Sequence, residues 1–406
     1  MRTSPAVARR FVPAPSAGAG VLAGVVVAVL AARHTGITEH SPVRPPGSWR
    51  DAWTWGLVGA FVLYVVGLAL LRRRPAPRAA VLVLAAAIQL APLAAPLLLS
   101  TDAYSYWDYG RVAAVHHGNP YADRPSRFPR DPAYRRMGRD WQHKPSVYGP
   151  VFTLGSEGIA RTTGDSPRAA TRAFRIAAAL AMVALAALAS IWGSFAAAFV
   201  GWSPLLALHF AGGGHNDVLM MLFVLAALAA TRTGRYRWAG AAWVAALSIK
   251  MTALVFLPLR ALEARRTGRP VSHWSFAGAA ILVAVVASIR YGPHWLGVLS
   301  PVANQLHSTS SLGLPYWAGK LGFPERYATD GLLLAFALFY LWLLWEAWRG
   351  RARLGLAACG LLLATSWLQP WYAVWAVPLA AVEEDTLARL AALALSAYFL
   401  RDALPF

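Results

Sequence analysis

The 406-residue sequence is poor in cysteine and in charge. Its one cysteine, Cys359, stands in an apolar run, which excludes intramolecular disulfides and cysteine-built metal sites. Charged residues make up 14% of the chain, too few for a disordered chain, a coiled coil or the surface of an ordinary soluble enzyme. There is no P-loop, no GxGxxG after a strand and no soluble domain, so nucleotide-driven chemistry has no seat. No internal repeat is evident either. What the chain does have is apolar residues, 57% of the total. A membrane helix needs about 20 of them, so the inventory allows roughly ten spans. The chain reads as a polytopic membrane protein.

Acidic residues are the scarcer charged class, 18 against 38 Lys and Arg, for a formal charge of +20. The basic residues cluster between apolar runs: Arg72-Arg73-Arg74 with Arg78; Arg232, Arg235 and Arg237; Arg260, Arg265, Arg266 and Arg269; Arg349, Arg351 and Arg353. That pattern fits anionic membrane lipids. No basic helix or soluble basic domain exists to present a face to nucleic acid, which is not expected as a partner. Residues 1–16, with Arg2, Arg9 and Arg10, read as a cytoplasmic tail. The run Ala17–Ala32 resembles a signal peptide, but the many later spans favour an uncleaved first helix. Further runs lie near 52–71, 79–99, 168–190, 195–211, 215–231, 272–290, 328–348, 354–368, 371–382 and 386–401. The expectation is one all-α transmembrane domain over 17–406 with about 11–13 membrane helices.

The positive-inside rule places all four clusters in the cytoplasm. Residues 237–262 are basic at both flanks and carry Lys250 at the middle, with about 13 residues on either side. Neither half can cross a ~30 Å hydrocarbon layer. This predicts a re-entrant helical hairpin with Lys250 near its apex; the alternative is one full span with Lys250 paired or snorkelling. The same parity puts 100–167, 291–327 and Ser366–Tyr372 on the external face, together with the polar break Gly212-Gly213-Gly214-His215-Asn216-Asp217. At 68 positions, the first of these is too long for a plain connector and is expected to hold interfacial helices.

That loop opens with Asp102, directly after a leucine run, where a carboxylate is costly unless hydrated, paired or employed. A partly desolvated carboxylate is a better acceptor for a hydroxyl proton. Tyr106 and Tyr109 share its face if the segment is helical; equally, Thr101 or Asp102 could cap an interfacial helix whose tyrosines form an aromatic belt. His116 and His117 could ligate a metal, but neighbours on a helix point apart. Gly118-Asn119-Pro120-Tyr121 and Tyr148-Gly149-Pro150 read as turns, and His143 and Lys144 just before the second could hold a phosphate. In the glycine-rich break, three polar side chains at a span boundary exceed what capping needs, and the following helix offers free N–H groups to an anion. Polar residues converging opposite the basic face suggest a substrate cavity. A transferase using a lipid-linked donor fits, since ATP and sugar nucleotides are confined to the cytoplasm; so does a transporter.

The ordered set Thr101-Asp102-Ala103-Tyr104-Ser105-Tyr106 with Gly110-Arg111, then Gly-Asn-Pro-Tyr, Tyr-Gly-Pro and Gly-Gly-His-Asn-Asp-x-Leu-Met, resembles the polyprenol-phosphomannose-dependent α-1,6-mannosyltransferases of actinobacterial envelope synthesis, within the GT-C superfamily of integral membrane glycosyltransferases. Lys250 in Ser-Ile-Lys-Met-Thr and Gln369-Pro370-Trp371-Tyr372 match the same pattern. The resemblance implies a GT-C-like bundle in the cytoplasmic membrane whose active site faces outward. Asp102 takes the position of the general base. Transfer of a hexose, most simply mannose, from a polyprenyl-phosphate donor to an envelope glycan or glycolipid would invert the anomeric carbon. Lys250, His215, His143 and Lys144 become candidates to stabilise the departing phosphate. Tyr104, Tyr106, Trp371 and Tyr372 would stack on sugar faces, Asp217 or Asp108 would orient the acceptor, and Asn216, Tyr148 and Gln369 complete the substrate set. No cofactor is implied; a divalent metal has no support in the residues. Another lipid-linked sugar, arabinose or glucose, is the alternative within the class.

Overall fold

The computed structural model describes residues 13–35, 48–299 and 308–404; among them every regular element is helical. A helix bonds its own backbone groups, which is what an apolar chain without water requires. Most of the tail, with Arg2, Arg9 and Arg10, and the segment holding His307 lie outside the described residues.

The elements are α1 (Pro13–Thr35), α2 (Ser48–Arg73), α3 (Arg78–Leu90), α4 (Asp102–Ala114), α5 (Pro150–Thr163), α6 (Pro167–Ala189), α7 (Ser194–Gly201), α8 (Pro204–Ala207), α9 (Asp217–Arg232), α10 (Tyr236–Leu247), α11 (Leu257–Arg266), α12 (His273–Tyr291), α13 (Leu314–Lys320), α14 (Glu325–Trp348), α15 (Leu354–Ala364), α16 (Ala373–Val382) and α17 (Thr386–Leu400). Among the described residues, five helices are long and apolar enough to cross a membrane: Ala14–His34, Ser48–Arg73, Pro167–Trp192, His273–Gly297 and Glu325–Trp348. A sixth results if Ser194–Gly201 and Pro204–Gly212, bent by 49°, form one span. The bundle is polytopic, but several runs expected as full spans are shorter helices. Hydropathy runs on through Pro92 and Pro204, whereas a backbone helix does not. A 12-residue helix such as α10 rises only about 18 Å.

Ring and ion-pair contacts gather the four basic clusters at one end. Arg72 and Arg389 both lie over Phe195, and Arg232 over the nearby Trp192. Arg353 bonds Asp385 in the turn before α17, and Arg266 lies over Trp348 beside Arg349. From this end α10 runs up to Lys250. There the backbone is extended (φ −152°, ψ 128°), a 3-10 turn covers Met251–Val255, and α11 returns toward Arg266. Both flanks of the break thus meet the basic end, as the re-entrant reading requires, but the arms part: α10 packs on α9 and α12, α11 on α14.

At the opposite end the 100–167 segment folds into a cap held by buried charge. Arg111 bonds Asp131 at 2.9 Å, and His116 Nε2 reaches the same carboxylate at 2.7 Å while its ring stacks on Phe128. Among the described residues no group of three or more His, Cys, Asp or Glu side chains is placed to hold a metal. Glu157, buried in α5, accepts from Arg290 and Tyr291 at the end of α12. The Gly-Asn-Pro-Tyr turn is pinned there as well, with Asn119 Nδ2 donating to Tyr291 O at 2.6 Å.

Candidate active site

The helix ends remote from the basic clusters enclose a cavity of about 320 Å³. α3 starts at Arg78 and the chain beyond it leads to Asp102; α9 begins at Asp217 and finishes at Arg232; α10 ends at Leu247, just before Lys250; α17 ends at Leu400, just before Asp402. The cavity wall holds Asp102, Tyr106, Tyr148, Asp217, Lys250, Gln369, Trp371 and Tyr372, eight residues singled out from the sequence. Five separate stretches of chain deliver them to one place.

Asp102 opens α4. Its backbone N–H donates to Ser100 Oγ at 3.1 Å, and Thr101 makes no side-chain cap. Its Oδ2 receives the Tyr106 hydroxyl at 3.4 Å and has His215 Nδ1 3.3 Å away. Tyr106 is sealed among Tyr148, Phe152 and Phe174, edge-on to each ring, with its hydroxyl also 3.4 Å from Asn216 Oδ1. Burial, reinforced by the negative charge of Asp102, pushes that hydroxyl well above the ordinary phenol range, so it stays a neutral donor.

The polar break before α9 does not serve as a cap, since Asn216 makes no side-chain capping bond. Asp217 Oδ1 instead receives Lys250 Nζ at 2.5 Å and Trp375 Nε1 at 2.7 Å. Lys250 lies over the stacked rings of Tyr372 and Trp375, 4.7 and 5.2 Å from their centroids. An ammonium on ring faces with one carboxylate beside it is a held cation that keeps one side toward the cavity.

The Lys250 break is fastened by the Tyr-Gly-Pro turn. Gly149 N–H donates to Ile249 O and Val151 N–H to Ser248 O, both at 3.0 Å. A Cβ at position 149 would stand 2.2 Å from Ser248 O, so only glycine permits this docking. The turn signal in the sequence is therefore a clamp that sets the height of Lys250.

Several expected residues lie elsewhere. His215 is wholly buried behind Trp371, stacked on it at 3.7 Å and off the cavity wall. Asn216 is buried next to it. Asp108 is buried inside the cap with no partner for Oδ2 among the described residues; burial, then Asp131, push its carboxyl up to about 8 against the pull of Arg111. Tyr104 is half-buried and off the wall. His143 and Lys144 are exposed, because the turn that fixes Tyr148 directs the preceding residues outward; Lys144 Nζ lies over the Trp141 ring. Asp140, Trp141, Trp367 and Asp402 also line the cavity and Trp375 backs it, without being marked as site residues by the sequence pattern. Trp375 was within reach: it follows Trp371 by four residues, so both share a helical face. Asp140 and Asp402 carry no local signal and reach the wall only through the tertiary fold.

A model of the alpha-(1->6)-mannopyranosyltransferase N-terminal domain matches residues 17–266, and one of the MptB C-terminal domain matches residues 331–405. Alpha-(1->6)-mannopyranosyltransferase A of Mycobacterium tuberculosis is 29% identical over 343 residues, 74% of this chain and 65% of that protein. A probable alpha-(1->6)-mannopyranosyltransferase of Mycolicibacterium smegmatis is 30% identical over 359 residues, covering 71% and 62%. Alpha-(1->6)-mannopyranosyltransferase B of Corynebacterium glutamicum is 29% identical over 367 residues, covering 77% and 60%. The chain thus spans less than two thirds of the length of these relatives. No solved structure matches it. With most of its residues under the first of these models, the chain belongs to the alpha-(1->6)-mannopyranosyltransferase family.

Proposed function

We propose that the protein is a membrane glycosyltransferase that moves a mannose from a polyprenyl-phosphate carrier to a glycan or glycolipid acceptor, in the cavity facing away from the cytoplasm. The observation that carries the reading is the convergence of an accessible carboxylate at a helix start, Asp102, and a held cation, Lys250, on a cavity walled by aromatic rings. The names of the relatives supply the sugar. The basic clusters at the opposite end of the bundle support the outward face.

In this reading Asp102 takes the proton of the acceptor hydroxyl as its oxygen bonds to the anomeric carbon. The bond from that carbon to the phosphate oxygen breaks, and its electron pair leaves with the polyprenyl phosphate. One displacement inverts the configuration. Lys250 offsets the charge on the departing phosphate, and Asp217 with Trp375 keeps the ammonium aimed. Trp371, Tyr372 and Tyr148 offer faces and edges to the sugar rings. Tyr104, Asp108, His143 and Lys144, away from the wall, are assigned no step.

Membranes holding the protein, given labelled polyprenyl phosphomannose, should place label in a glycan or glycolipid. Label that only changes sides of the membrane would make the protein a transporter. Transfer from another lipid-linked sugar alone would correct the donor.

A further inference from the structure

Resting on that reading, we infer that His215 is the positioning residue of the base: its Nδ1–H holds Asp102 Oδ2 and leaves Oδ1 to the acceptor hydroxyl. Among the described residues, the side-chain contacts of the carboxylate, His215 Nδ1 at 3.3 Å and the Tyr106 hydroxyl at 3.4 Å, fall on Oδ2. The histidine pair is close without full hydrogen-bond alignment, the loose geometry in which such contacts wait for a substrate. A carboxylate held through one oxygen presents the other in a fixed direction, and direction is what proton abstraction requires.

The fold is arranged around this contact. The ring of His215 is fully buried and clamped flat on Trp371, the planes 14° apart. It folds back over its own chain, so that a Cβ at Gly213 would lie 2.9 Å from Nε2; the glycine-rich run makes room for the imidazole. The two backbone segments that carry the pair are fastened to each other. Leu98 N–H donates to Gly212 O at 3.0 Å, and buried Arg175 donates to Ala211 O, Pro92 O and Ala95 O. An arginine buried on three carbonyls from both sides fixes the register of Asp102 against His215.

Two substitutions separate donor from ring. His215→Phe keeps the stack on Trp371 and removes the donor; His215→Asn gives up the ring and keeps an N–H close to the Nδ1 position. In mannosyl transfer by the full-length protein in membranes, His215→Phe should lower kcat on the order of 100-fold with the donor KM within a few-fold. His215→Asn should recover most of that loss, both variants retaining the wild-type melting midpoint within a few degrees. A risen donor KM with kcat preserved would put His215 on the phosphate instead. Equal activity of both variants, whether high or low, would overturn the positioning role, because the N–H would then not matter. Failure of wild-type membranes to transfer any label would remove the function and this role together; an active wild type with an active His215→Phe removes only the role.

Discussion

Lys250 and Asp217 answer each other across 33 positions of sequence, and neither is stable alone. Asp217 is wholly buried, with no partner for Oδ2 among the described residues and Oδ1 held by Lys250 and Trp375. Removing one partner of such a pair leaves an uncompensated charge and costs about 3–5 kcal/mol, whereas neutralising both is far milder. Lys250→Met should therefore lower the melting midpoint of the purified protein, and adding Asp217→Asn should restore it. Transfer should stay lost in the double variant, since Lys250 is the only Lys, Arg or His on the cavity wall among the described residues. Recovery of transfer along with stability would make the pair merely structural. Asp108 gives a second check at the same scale. Its carboxyl stays protonated up to about pH 8 when folded but ionises near pH 4 when unfolded. Native protein thus binds the extra proton between those values, and its stability falls as pH rises through that window. The gain in melting midpoint from Asp108→Asn should grow between pH 5 and pH 8; a pH-independent difference would contradict the buried neutral acid.

Among the elements, the clamp between the Tyr-Gly-Pro turn and the Lys250 break matters most. Gly149→Ala forces a methyl into Ser248 O and should cost about 1–3 kcal/mol, with transfer reduced more than stability because Lys250 moves. Wild-type transfer with an unchanged melting midpoint would show that the two backbones need not touch. What the sequence made legible follows the same division. A lysine inside an apolar stretch with basic flanks is a local conflict, and the break at Lys250 could be read from it directly. Asp102, Asp217 and the Gln369–Tyr372 segment were legible because polar residues at apolar boundaries are costly without a use. Span length was not: hydropathy averages over Pro92 and Pro204, while the helix ends or bends there. His143 and Lys144 have the right chemistry for a phosphate, but the turn faces them outward, which spacing alone does not encode. Asp140, Asp402 and the Glu157–Arg290 tie depend on contacts between distant parts of the chain.

At the scale of the whole molecule, the basic end and the cavity end are opposite poles of one bundle. If the basic pole is cytoplasmic, the exposed His143 faces out of the cell and the exposed Arg73 faces in. Cys359 is buried and gives little background. In intact cells His143→Cys should react with a membrane-impermeant maleimide, and Arg73→Cys only after permeabilisation. The reverse pattern would place the cavity in the cytoplasm and remove the argument for a lipid-linked donor.

The proposed transfer depends above all on the carboxylate at the start of α4. Asn replaces Asp at position 102 with almost no change of shape, keeping the contacts around it while removing the proton acceptor. Transfer of labelled mannose from polyprenyl phosphate should fall at least about 100-fold in Asp102→Asn at an unchanged melting midpoint. Transfer within a few-fold of wild type would show that the proton goes elsewhere.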